Sequence, residues 1–348
     1  MKKCLKWCAV ALLVAVAALA VVYRAVNRVP SETLAPNERV YEILVEGGCL
    51  SCHSADPEVP FYAKLPVAGK IVMKDIDSGY RAYDIEKFMA DVKDGTEPSE
   101  VDLAKVEKVI LDGRMPMPKY YLVHWGSSLT DAKRDIVLSW VRDRRIAMYD
   151  DGLAGERAAE PVRPIDTEVT VDEAKAALGF ALFHDPRLSV DNTVSCATCH
   201  ALETAGVDNH RYSDGVGGQV GGVNAPTVYN AVYNFVQFWD GRAATLADQA
   251  AGPPLNPIEM ASPSFEHIIA KLEADKNFAR AFTAVYPDGL TQANITDAIE
   301  QFERTLVTPN ARFDKWLLGD DEAITAEELA GYELFKKYDC ATCHVGHN

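Results

Sequence analysis

The sequence predicts a mainly α-helical fold, and three observations predict it. Helical hydrophobic periodicity recurs along the chain, whereas strand-like alternation is scarce. An uncharged, mostly apolar run from Trp7 to Tyr23 opens the chain. Three Cys-x-x-Cys-His motifs, Cys49-Leu-Ser-Cys52-His53, Cys196-Ala-Thr-Cys199-His200 and Cys340-Ala-Thr-Cys343-His344, each follow a helix-like segment. At 348 residues the chain has room for two or three domains.

The apolar run comes first. Lys2, Lys3 and Lys6 precede it and Arg24 and Arg28 follow it. That pattern is an export signal or a membrane anchor, at the short end of a spanning range of about 17 to 25 residues. Ala18-Leu19-Ala20 could serve as a cleavage site. The length favours an uncleaved transmembrane helix within residues 1–29, and the positive flank keeps the amino terminus in the cytoplasm. Cys4 and Cys8 read as ordinary residues of this segment.

A first domain, residues 30–149, is expected to hold a helix from Asn37 to Glu46, another from Ser99 to Leu111, and a closing helix from Thr130 through Trp140 to Met148. Residues 150–164 form a linker rich in Gly, Pro and charge. A second domain, 165–318, opens with a helix from Asp172 to Phe183. Residues 319–348 begin a third with a helix from Ala326 to Tyr338. Leu178-Gly179-Phe180-Ala181-Leu182-Phe183 matches Ala330-Gly331-Tyr332-Glu333-Leu334-Phe335 in its small, aromatic and aliphatic positions, which indicates a repeated plan.

The three motifs carry the chemistry. Two thiols on one turn can each add to a vinyl group of the same porphyrin, and the adjacent imidazole then reaches the iron as proximal ligand. A redox dithiol does not require the histidine, and a zinc site wants its second pair about 15 to 20 residues on. Three covalent haem c groups are therefore expected, with His53, His200 and His344 as axial ligands.

The sixth iron position decides between electron carriage and small-molecule chemistry. In the first domain Met115-Pro116-Met117-Pro118 follows a helix, and Met115 is the expected sixth ligand. Met117, or packing alone, are the alternatives, and His124 is a weaker candidate. The net charge of −16 argues against nucleic acid as a partner, because its phosphates would be repelled.

The second domain holds Asn224-Ala225-Pro226-Thr227, Phe238-Trp239-Asp240-Gly241-Arg242-Ala243, Gln249 and Pro257-Ile258-Glu259-Met260, with His184-Asp185-Pro186-Arg187-Leu188 upstream. These stretches resemble the bacterial di-haem cytochrome c peroxidase family. The additional amino-terminal haem domain behind an anchor resembles its three-haem branch, the membrane-anchored quinol peroxidases. The resemblance implies tandem class I cytochrome c-like haem domains, a single anchor in the bacterial inner membrane, and haem domains in the periplasm.

The resemblance also implies roles. The haem on Cys196 and Cys199 would be the peroxidatic one, Glu259 its distal acid and base, and Gln249 the group that orients hydrogen peroxide. Trp239 would be an electron bridge to the haem on Cys340 and Cys343, and Asn224 a calcium ligand. Taken singly, each of these residues reads equally as a structural one. Electrons would come from a membrane quinol through the first haem; the sequence identifies no quinol pocket, and Tyr120, Tyr121, His124 and Trp125 form only a weak candidate patch that packing explains equally well. A small soluble cytochrome c is the alternative donor, and a non-catalytic multihaem carrier or an oxidase of protein or organic substrates are rival readings.

The chain departs from the family pattern in two ways. Many family members place a distal histidine in the glycine-rich loop where Val216 stands here, so an open resting iron is expected. His210 is out of register. The family also continues beyond the third motif, so that the third haem domain reads as truncated after His347 and Asn348.

Overall fold

The computed structural model of the chain describes residues 2–149, 151–153 and 155–347, and the side chains of 2–6, 8, 9, 122 and 156 lie outside that description. The readings of Lys2, Lys3, Lys6, Cys4 and Cys8 therefore fall on side chains outside it. The helices run α1 (Lys2–Val26), α2 (Pro36–Glu46), α3 (Pro66–Ala82), α4 (Glu86–Asp94), α5 (Glu100–Leu111), α6 (Asp131–Tyr149), α7 (Glu173–Phe183), α8 (Cys196–Cys199), α9 (Leu246–Ala250), α10 (Phe265–Ala274), α11 (Lys276–Val285), α12 (Gln292–Glu303), α13 (Arg312–Leu317) and α14 (Ala326–Lys337). Extended pairing among the described residues is limited to isolated bridges such as Asp214 with Val220. The fold is mainly α, as expected.

α1 is continuous, about 37 Å long at about 1.5 Å per residue. Leu12, Leu13, Val14, Leu19 and Val21 along it are exposed. Among the described residues no helix is long and apolar enough to cross a membrane. The transmembrane expectation gains no support there, the side chains of the helix's first turns being outside the description. The foot of α1 is fixed: Asn27 Nδ2 donates to the Trp125 carbonyl at 2.7 Å and Asn27 Oδ1 accepts from the Ser128 amide at 2.9 Å.

The chain forms two compact units, Met1–Arg163 with Trp316–Gly346, and Pro164–Lys315 with His347–Asn348. In the first, Val40, Ile43 and Leu44 of α2 follow helical spacing and meet Phe88 and Val92 of α4, Leu103 and Val106 of α5, and Val137 and Trp140 of α6. Ser99 caps α5 by accepting from the Asp102 amide. A buried ion cluster joins α5, α6 and the following segment: fully buried Arg145 donates to Glu100 and Glu107, both at 2.7 Å, and to the Ala159 carbonyl at 2.8 Å.

Most of the segment read as the start of a third domain belongs to this first unit. Tyr332 and Lys336 of α14 both bind Glu160, at 2.6 and 3.1 Å, and Arg157 lies over the Trp316 ring.

In the second unit α7 packs backbone-close on α12. A Cβ at Gly179 would run into the Ala298 carbonyl, so glycine is required at that crossing. Asp172 caps α7, and Lys175 reaches Asp297 on α12 at 2.7 Å. Leu182, Ile268, Leu272, Phe282 and Ile299 form the core. The long connection from α8 to α9 carries the glycine-rich loop and the Trp239 turn.

Candidate active site

After α2 the chain turns tightly, with the His53 amide donating to the Cys49 carbonyl at 3.1 Å. Cys49, Cys52 and His53 thereby line one cavity of about 460 Å³, whose walls include Val106, Ile110, Met115, Met117 and Tyr120. That size falls in the usual range for small-molecule and cofactor sites, about 300 to 1,000 Å³. His53 Nδ1 lies 2.9 Å from the Tyr83 carbonyl. Holding the hydrogen on Nδ1 leaves Nε2 facing the cavity as a ligand. Gly48, at φ +73°, has no Cβ and so leaves room for the Tyr120 hydroxyl. Burial pushes the Cys49 thiol up to about 12. A mostly apolar cavity with two thiols on one turn, an oriented imidazole and a facing thioether fits a c-type haem. Met115 and Met117 both line it, so both alternatives for the sixth ligand lie in the same wall.

The second motif is built likewise. α8 carries both thiols, and His200 Nδ1 lies 3.0 Å from the Pro226 carbonyl. Burial pushes the Cys196 thiol up to about 12.

Of the residues expected on the distal side, Val216 and Glu259 are brought together. The Val216 amide donates to the Glu259 carbonyl at 2.9 Å. A Cβ at Gly215 would meet the Ile258 carbonyl, so the loop can press against 258–259 only with glycine there. Val216 packs with Cys196 on the same core. Burial raises both the Cys196 and Cys199 thiols, and the Glu259 charge adds to it, behind Glu303 for Cys196 and Asp208 for Cys199. Glu259 Oε1 accepts from Asn256 Nδ2 at 2.7 Å. Burial holds its carboxyl above the ordinary glutamate range, while Asn256 and the Arg242 guanidinium pull it back.

Gln249 lies half-buried on α9, and its carbonyl accepts from the Gly252 amide at 3.0 Å. Trp239 is 68% exposed, and its Nε1–H donates to the Asn224 carbonyl at 2.8 Å. Asn224 in turn donates from Nδ2 to the His210 carbonyl. Among the described residues no cluster of three or more His, Cys, Asp or Glu is placed to hold a metal ion. The His210 side chain is mostly exposed and faces Asp214. Sequence reasoning missed Asn256 and Arg242 as modulators of Glu259, although the three-residue spacing of Asn256 and Glu259 was a usable signal. It also missed Glu303, a buried carboxyl whose charge acts on Cys196.

The third motif is more open. Cys340, Cys343 and His344 are exposed, and among the described residues no hydrogen bond orients the His344 ring. Asp339 and Thr342 nevertheless line the cavity of the first motif together with Met115.

Known proteins match most of the length of this chain. A family model described as di-haem cytochrome c peroxidase matches residues 173–322, and one described as haem-binding domain matches residues 11–143. The cytochrome c peroxidase of Escherichia coli strain K12 is 49% identical over 91% of this chain and 69% of its own length. The cytochrome c551 peroxidase of Nitrosomonas europaea is 47% identical over 62% of this chain and 64% of its own, and that of Pseudomonas aeruginosa 41% over 56% and 58%. A solved MauG-like protein associated with microbial copper homeostasis aligns over 52% of this chain and 53% of its own at 29% identity, with a TM-score of 0.44.

Proposed function

The chain belongs to the di-haem cytochrome c peroxidase family, and from that premise we propose that it is a haem peroxidase reducing hydrogen peroxide to water at the site of Cys196, Cys199 and His200. The bond from the Val216 amide to the Glu259 carbonyl carries this reading. It joins the backbone of an aliphatic residue, unable to ligate iron, to the backbone of Glu259, whose charge acts on both attachment thiols.

When bound, the haem supplies the redox-active iron and an open coordination position. The protein's own residues handle the protons. Glu259 takes the proton from the near peroxide oxygen and returns it to the far one, so that the leaving group departs as water. A carboxyl held above its ordinary range by burial suits both halves of that transfer. Asn256 fixes the carboxyl through Oε1. Gln249 orients the peroxide by hydrogen bonding, and His200 is held by Pro226 in the tautomer that ligates through Nε2.

The finer reading has three haems and a membrane quinol as donor. Electrons enter at the site of Cys49, Cys52, His53 and Met115, pass to that of Cys340, Cys343 and His344, and reach the second site by way of Trp239. The shared lining of Met115, Asp339 and Thr342 supports the first leg. Asn224 is assigned to calcium by resemblance alone. An anchor in the inner membrane, with the haem domains in the periplasm, is assigned by resemblance alone. The names of the relatives favour a second donor, a small cytochrome c. Peroxide-dependent oxidation of menadiol, measured beside that of reduced cytochrome c on the membrane-bound holoprotein, tests the donor. Faster turnover with menadiol supports the quinol, and turnover with cytochrome c alone refutes it.

A further inference from the structure

At the foot of α1 the segment 59–65 meets the loop 120–128. Tyr62 Oη lies 2.6 Å from His124 Nε2. His124 also stacks on Tyr120, with centroids 3.9 Å apart and planes 6° from parallel. Tyr120 in turn lines the cavity of Cys49, Cys52 and His53. A continuous aromatic path therefore runs from the first haem site to the surface.

That surface is apolar and flat-sided. Phe61 is 82% exposed and Trp125 51%, with Val123 and Leu65 exposed beside them. Phe61 stands edge-on to Tyr62 at 5.6 Å. Exposed apolar side chains grouped around a few polar groups mark a binding surface rather than a solvated one. The loop is also held to α1 through Asn27, and Tyr23 Oη donates to Ser128 Oγ at 2.8 Å. A ligand dissolved among the apolar residues of α1 would reach this surface first.

We propose that the Tyr62–His124 pair, rimmed by Phe61 and Trp125, is the docking and deprotonation site for a quinol headgroup. The proposal rests on the quinol-donor reading above and adds the place and the proton acceptors. A planar aromatic diol stacks against Phe61 and Trp125, with one hydroxyl against the Tyr62 oxygen. In the tautomer carrying hydrogen on Nδ1, His124 accepts from Tyr62 through Nε2. The quinol O–H bond breaks, its proton passes to the Tyr62 oxygen, and Tyr62's own proton moves to Nε2. The imidazolium gives up one proton to solvent and the ring returns to the tautomer with hydrogen on Nδ1, which frees Nε2 for the second proton. One electron leaves the ring for the c-type haem held by Cys49, Cys52 and His53. Repetition leaves a quinone, two released protons and two delivered electrons. Burial holds the His124 ring below the usual histidine range, so it is neutral and able to accept near pH 7. With Nε2 engaged by Tyr62, His124 is a proton acceptor in this site rather than the iron ligand weighed from sequence.

The test uses the full holoprotein in lipid nanodiscs, without peroxide. Reduction of the haems by menadiol is followed by stopped flow, and binding of a hydroxyquinoline N-oxide, a quinol mimic, by its fluorescence. Tyr62→Phe and His124→Gln are expected to slow menadiol reduction at least about tenfold, the lower end for loss of a proton acceptor being about a hundredfold in other enzymes. Reduction by dithionite stays unchanged. Phe61→Ala, which has almost no buried contact to lose, is expected to weaken N-oxide binding several-fold with the haem absorption unaltered. Wild-type menadiol rates and N-oxide binding in all three variants would overturn this site while leaving the quinol reading standing. A wild-type protein that neither reacts with menadiol nor binds the N-oxide, yet accepts electrons from reduced cytochrome c, would overturn both.

Discussion

Arg114 grips Asp339 with both guanidinium nitrogens, at 3.1 and 3.0 Å. The two residues stand next to Met115 and Cys340. Lys108 reinforces the clamp from 3.5 Å. The ion pair therefore ties the Met115 loop beside the first Cys-x-x-Cys-His motif to the turn of the third motif, within one compact unit.

Arg114→Ala is expected to loosen that tie with little loss of stability, since both partners are more than a third exposed and such pairs contribute about 0.2 to 1 kcal/mol. Electron passage from the first site to the third should slow several-fold in single-turnover experiments. An unchanged rate would show that the clamp has no part in the relay.

Val216 predicts the resting state. With an aliphatic residue there, its amide bonded to the Glu259 carbonyl, the second haem should rest with a high-spin component and react with peroxide without prior reduction. Val216→His should convert the resting spectrum to low spin and make turnover depend on pre-reduction. A wild-type resting spectrum in which the second haem is wholly low-spin with two strong ligands would contradict this.

Glu303 predicts a pH dependence of stability. Burial and nearby Glu300 raise its carboxyl from the ordinary 4.5 to about 8, and Oε2 has no hydrogen-bond partner. A carboxyl whose folded value is raised stabilises the fold fully below its unfolded value, and that contribution is lost as pH rises through the folded value. The thermal midpoint should therefore decline between about pH 4.5 and 8. Glu303→Gln should flatten that decline and exceed wild type at pH 9 in differential scanning calorimetry.

Gly179→Ala should destabilise the second unit by about 1 to 3 kcal/mol, the usual cost of overpacking, because the added methyl meets the α12 backbone. Urea unfolding checks it. A midpoint equal to wild type would mean that the α7–α12 crossing relaxes freely.

Local features were legible in the sequence. The helices capped by Ser99 and Asp172 begin within a residue of where periodicity places them. The haem motifs were legible because their chemistry is completed within five residues. What escaped depends on contacts between distant segments. No periodicity reveals that Asp339 lines the cavity of Met115, or that Glu303 lies beside Cys196. Tyr120, Tyr121, His124 and Trp125 were legible as a weak candidate patch for a quinol, whereas Phe61 and Tyr62 escaped because they join it from a distant segment. Glu259 was placed by resemblance, and its link to Val216 became physical only when a carbonyl and an amide from separate loops were found to meet.

Peroxide turnover by Glu259→Gln, measured on the holoprotein with a saturating small-molecule reductant, tests the central claim most directly. The substitution keeps the hydrogen-bonding shape and removes the transferable proton. Turnover is expected to fall about 10²- to 10⁴-fold, the usual contribution of a positioned acid and base, with all haem spectra retained. Turnover within about twofold of wild type would contradict the assignment of Glu259 as the group that moves the peroxide proton.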